Sequence, residues 1–111
     1  MLSLQNNVSK KEVDTLDTLK WLQTWYEQNC NGDWEHSNGV KIETVDNPGW
    51  YVEINLVETK LEYKCFDLKE IEKDEQNWYY CKVEDGVFHG AGGAGNLEEI
   101  LICFKQWATE E

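Results

Sequence analysis

Apolar residues recur every three or four positions near both ends of the chain and every second position in several stretches between. Near the N-terminus, Val13, Leu16, Leu19, Leu22 and Tyr26 mark one face of a helix, with Trp21 and Trp25 on a second stripe four residues apart. Ser9 and Glu12 have the spacing of a capping box, in which each side chain satisfies the other's backbone N–H, and Thr15 is an alternative cap. The helix should stop near Asn31-Gly32, because glycine accepts the left-handed backbone that ends helices. Near the other end, Leu97, Ile100, Leu101, Phe104 and Trp107 follow Asn96, with Glu99 completing a second capping box.

The middle of the chain reads as strands. Val40 to Val45 is β-branched and alternating, Asp46-Asn47-Pro48-Gly49 is a turn, and Trp50, Val52, Ile54 and Leu56 alternate with more polar residues. A four-residue loop without a bulge would set Ile42 opposite Glu53. An odd connection is needed to bring Ile42 to the face of Val52 and Ile54, so a bulge or a five-residue loop is expected near Asp46–Trp50. Phe66, Leu68 and Ile71 suit a third strand near an edge, since charges flank them. Trp78 to Glu84 and Val87 to Ala91 should pair about Asp85-Gly86, a type I′ turn that sets Val83 opposite Phe88 and gathers Tyr79, Cys81, Val83 and Phe88 on the core face. The order predicts an α+β fold, an antiparallel sheet of about five strands flanked by an N-terminal and a C-terminal helix. Residues 1–12 read as a polar lead-in and 13–111 as a single domain.

Charge narrows the partners. Lys plus Arg is 10, all of it Lys, and Asp plus Glu is 22, so the net charge is −12. A chain this acidic and without Arg repels phosphate backbones and anionic membrane surfaces, and attracts basic proteins. Residues 43–75 hold ten acids and four lysines, a local −6, which suits an acidic DNA mimic less well than a protein ligand because the lysines interrupt the run. No stretch has the length of a membrane span or the pattern of a signal peptide, so a cytoplasmic location is expected. Cys30, Cys65, Cys81 and Cys103 are widely spaced and read as reduced thiols, mostly buried.

Two segments could carry chemistry. Residues 90–95, Gly-Ala-Gly-Gly-Ala-Gly, match the glycine pattern of dinucleotide sites. Such a site needs a following parallel strand and an acid about 20 residues on, and the chain stops before either. A tight backbone crossover is the simpler reading. Gly32–Gly39 contains Asp33, Trp34, Glu35 and His36 between a helix and a strand, where binding residues often sit. A small ligand-binding protein or enzyme built on this segment is the alternative; it requires a deep pocket holding Glu35, His36 and the glycine loop. As neighbours on an extended segment, however, Glu35 and His36 would point to opposite sides. With two His and no C-x-x-C pair, no metal, no cofactor and no catalytic residue is expected. Tyr51, Trp78 and Tyr80 fall on the outer sheet face, and aromatics among acids suit a basic partner.

Leu19-Lys20-Trp21-Leu22-Gln23-Thr24-Trp25-Tyr26, Gly32-Asp33-Trp34-Glu35-His36 and Asp46-Asn47-Pro48-Gly49-Trp50, with Gly92-Gly93 and Asn96-Leu97-Glu98-Glu99-Ile100-Leu101, together resemble the immunity protein 53 family over about residues 16–108. The resemblance implies a bacterial protein encoded beside a polymorphic toxin, which binds that cognate toxin and blocks it without enzymatic activity. A charge of −12 suits masking a basic, nuclease-like toxin. The expected contacts are Asp33, Trp34, Glu35 and His36, followed by Glu43, Glu53 and Glu84 from the strands. The toxin's identity and the oligomeric state stay open at this level.

Overall fold

The computed structural model describes residues 10–110, with side chains from Asp17 onward. The elements are α1 (Lys10–Asn29), α2 (Trp34–Ser37), β1 (Val40–Val45), β2 (Gly49–Asn55), β3 (Lys69–Glu72), β4 (Trp78–Glu84), β5 (Val87–Gly93) and α3 (Leu97–Thr109). The strands form one antiparallel sheet in the order β1-β2-β5-β4-β3. This is the expected α+β arrangement. Ser9 of the first capping box and the side chains of Glu12, Val13 and Leu16 lie outside the described residues. Helix α1 already includes residues 10–12 and runs through Thr15, so Thr15 is not its cap.

Parity decides the first hairpin. Val45 pairs with Gly49 and Ile42 with Val52, which leaves three connecting residues, Asp46-Asn47-Pro48, with a cis bond before Pro48. The connection is odd, as the hydrophobic alternation demands, but shorter than five residues. At the second hairpin Asp85 (φ 55°) and Gly86 (φ 76°) form the two-residue turn, and Val83 pairs with Phe88.

One face of the sheet carries the core. Val52, Ile54, Phe88 and Cys81 are fully buried there beneath Ile100 and Phe104 of α3. Phe104 is the hub. Its ring meets Phe88 at 5.0 Å, Trp25 at 5.3 Å and Trp21 at 5.7 Å between centroids, all edge-on. These contacts turn α1 about its axis relative to the sequence expectation. Thr18, Trp21, Leu22 and Trp25 face inward, while Leu19 and Tyr26 are 58% and 38% exposed. Two tryptophans bury more apolar surface than a leucine and a tyrosine, so the tryptophan stripe wins the core.

The third strand differs most. Only Ile71 of its three expected apolar residues lies in a strand, the four-residue edge β3. Phe66 packs edge-on against Trp107 and Phe88 from an irregular segment, and Leu68 is exposed. Side chains hold that segment. Trp107 Nε1 donates to the Cys65 carbonyl at 2.7 Å, and Lys64 Nζ donates to the Trp107 carbonyl at 2.7 Å and to that of Glu110. Asn96 precedes α3 but its side chain does not cap it. Its Oδ1 accepts from the Trp78 N–H at 3.3 Å and its Nδ2 donates to Asn77 at 2.9 Å, tying the helix start to β4. Cys81 and Cys103 are buried, Cys30 is half-buried and Cys65 exposed, so two of the four thiols are core residues.

The glycine run has a steric explanation. A side chain at Gly90 would collide with Ile100 Cγ2, and one at Gly92 would sit 2.9 Å from the Trp78 carbonyl and 3.0 Å from Tyr79 Cβ. These residues let α3 and β4 close on β5. Gly95 has open space around it. Gly90→Ala should therefore lower the unfolding free energy by about 1–3 kcal/mol, and Gly95→Ala should change it by no more than about 0.5 kcal/mol. Urea denaturation of both variants measures this; equal effects would contradict the packing account.

Candidate functional site

The helices cover one face of the sheet, so the alternate side chains of every strand project from the other. The register lays these residues out in rows. Across the middle run Glu43, Tyr51, Ala91, Tyr80 and Glu70, each opposite the next on the neighbouring strand. The next row is Lys41, Glu53, His89 and Lys82. Glu72 and Glu84 extend the face, giving five glutamates (Glu43, Glu53, Glu70, Glu72, Glu84) against two lysines (Lys41, Lys82). Ala91 leaves a shallow floor between two tyrosines, and carboxylates stand outside them.

Hydrogen bonds fix the centre of this face. The Tyr51 hydroxyl donates to Glu53 Oε2 at 3.1 Å, and its oxygen lies 2.7 Å from His89 Nδ1, which donates when it carries the proton. Burial first, then the hydrogen bond and charge of Glu53, push the Tyr51 phenol up from 10.0 to about 12. Lys82 and Glu84 form an exposed ion pair at 3.0 Å. At the β3–β4 end the face opens into a cleft of about 320 Å³ lined by Glu70, Glu72, Asp74, Glu75, Trp78 and Tyr80, among others. This groups carboxylates with aromatic rings, a setting suited to ammonium or guanidinium groups.

The 33–36 segment is placed differently. It forms the single turn α2 rather than an extended strand. Trp34 is only 2% exposed, edge-on to Trp25 at 6.1 Å, with Nε1 donating to the Val57 carbonyl at 2.8 Å. It is a core residue, and the reading of Trp34 as a contact gives way to that burial. The Glu35 carboxylate accepts the N–H groups of Asn31 and Gly32, both at 2.9 Å. Its own backbone N–H, with those two, holds it below the ordinary carboxylate range. Asp33 and His36 are exposed.

Glu35 and His36 do not meet the glycine loop. Trp34 joins Val57, just past the end of β2 that pairs with Val87, whereas Gly93 pairs with Gly49 at the far end of β5. Seven residues of strand, about 20 Å, separate the two. The pocket that an enzyme reading required is therefore not formed by these groups. Glu43, Glu53 and Glu84 share the open face with Tyr51 and Tyr80. Sequence reading missed His89, Ala91 and Glu70. The Asp85-Gly86 turn alone pairs Ala91 with Tyr80 and His89 with Lys82, so two of the three were within reach; Glu70 needed the register of β3.

A sequence-family model described as Immunity protein 53 matches residues 19–109 of the 111. No curated protein and no solved structure matches the chain.

Because the Tyr51 phenol is raised, its contribution to stability is complete below pH 10.0 and is lost as pH rises through about 12. Spectrophotometric titration should show a late phenol step near pH 12 from Tyr51, beside that of Tyr26, whose phenol the neighbouring Cys30 also raises. Tyr51→Phe should remove the Tyr51 step. Glu53→Gln should bring it down toward 10.0 without reaching it, since burial remains. An unchanged step in Glu53→Gln would refute the Tyr51–Glu53 bond.

Proposed function

The chain belongs to the Immunity protein 53 family, whose members have a toxin-neutralising role, and we propose from this that it neutralises a cognate toxin by docking its open sheet face on a basic surface of that protein. The observation that carries this reading is the sheet face on which no helix packs among the described residues, with five glutamates, two lysines and the Tyr51–Tyr80 pair around Ala91. Excess carboxylate speeds encounter with a cationic partner, and rigid tyrosines bury area at little entropic cost.

In this reading the toxin is nuclease-like, because an active surface that grips phosphate is cationic. The immunity protein blocks it by covering that surface, not by chemistry. Glu43, Glu53 and Glu84 make the primary contacts. Asp33 and His36 of the α2 turn are secondary, and Glu35 acts mainly by holding that turn. The partner binds in the producing cell's cytoplasm. A DNA mimic would use the same carboxylates, but Lys41 and Lys82 break their row.

Co-expression with the neighbouring toxin domain tests the role: growth should be restored, and killing that is unaffected by this protein would sink the proposal. For the face, the triple variant Glu43→Lys/Glu53→Lys/Glu84→Lys should weaken toxin binding by roughly 10–100-fold, mostly through a slower association that depends on salt. Asp33→Lys should weaken it less. Full protection by the triple variant would move the interface off this face. Inhibition of unrelated DNA enzymes would favour mimicry instead.

A further inference from the structure

The two edges of the sheet are not alike. The β3 edge has four residues, three of them charged. Such an edge discourages further pairing. The β1 edge has six residues, Val-Lys-Ile-Glu-Thr-Val, with no proline, and both of its faces are accessible. Ile42 points to the helix side yet is 38% exposed. Beside the same edge, Tyr26 of α1 packs next to Gly39, and Leu19 lies two turns earlier on the same exposed stripe. Among the described residues, β1 thus has no strand on its outer side, and exposed apolar side chains lie at its face and beside its start.

We propose that two copies of this chain associate through antiparallel pairing of their β1 edges, with Ile42 facing Ile42 of the second copy on the twofold axis. The sequence of β1 selects this register. Antiparallel edges join about an axis perpendicular to the sheet, so residues on the same face must be opposite each other. Centring on Lys41 sets Lys against Lys, and centring on Glu43 sets Glu against Glu. Both place like charges directly opposite, which is unfavourable. Centring on Ile42 gives two Lys41–Glu43 pairs and sets Val40 against Thr44. Centring on Thr44 would push half of the pairing into the 46–48 turn. The Lys-Ile-Glu triplet is its own complement. The two helical layers then lie on the same side, and Ile42 with the Tyr26 stripe becomes an internal seam. The pairs also put opposite charges at the contact of two molecules that each carry −12.

This association shares Glu43 with the proposed toxin contacts, but it is tested without toxin, so its failure and that of the toxin reading are told apart. Sedimentation of the purified full chain, across micromolar to millimolar concentrations at physiological salt, should show a monomer–dimer equilibrium. Lys41→Glu and Glu43→Lys, each folded by circular dichroism, should each raise the dimer dissociation constant by at least about tenfold. Mixing the two variants should restore a heterodimer, because both cross-strand pairs become Glu–Lys again. A wild-type chain that is monomeric throughout overturns the proposal. So does a dimer that survives both single changes, or a mixture that fails to reassociate.

Discussion

Phe104 of α3 sits where the sheet and α1 meet. Its ring touches Phe88 on the sheet and Trp21 and Trp25 on α1. That contact is possible only because Gly90 lets α3 descend onto β5, with Ile100 filling the place of a missing side chain. Without the descent, α3 would stand off the sheet, α1 would lose its aromatic partners, and the fully buried Val52 and Ile54 would face water. The one-sided layering follows from this packing. All the bulky apolar groups are drawn to one side of the sheet, and the other side is left to residues that tolerate solvent.

Much of this was readable from residue spacing, and the exceptions have physical causes. The sheet, both hairpins and helix α3 were legible because strict alternation, an Asp-Gly turn and a clean helical stripe each point to one structure. Even the parity of the first connection followed from Ile42 and Val52. The orientation of α1 was not legible, because two stripes competed and only the tertiary partners Phe104 and Trp34 chose between them. The stretch around Phe66 was misleading. Its apolar residues anchor a loop through Trp107 and Lys64, a job that leaves no periodic mark. Of the candidate site, the glutamates of β1, β2 and β4 were identified from sequence, whereas Trp34 was drawn into the core by a neighbour, Trp25, that sequence distance does not reveal.

Charge and shape act together on the open face. Scattered acids alone provide solubility and little else. Here the register lines up an acid, a tyrosine, an alanine, a tyrosine and an acid across five strands, so the carboxylates come with rigid apolar surface between them. The Tyr51–Glu53–His89 hydrogen bonds hold the middle of that row in place before any partner arrives. A pre-organised polar surface of this sort loses little side-chain freedom on association.

The separation of the two sides has a further consequence for how such a protein can change over time. Residues such as Glu43, Tyr80 and Lys82 project from the face opposite the one on which α3 packs, so replacing them disturbs the fold little. Surface substitutions away from caps and buried networks typically alter stability by no more than about 0.5 kcal/mol. The scaffold can therefore accept a new recognition surface without first gaining reserve stability. A lineage facing a drifting antagonist could rewrite one side of the sheet while the other, locked by Gly90 and Phe104, stays as it is.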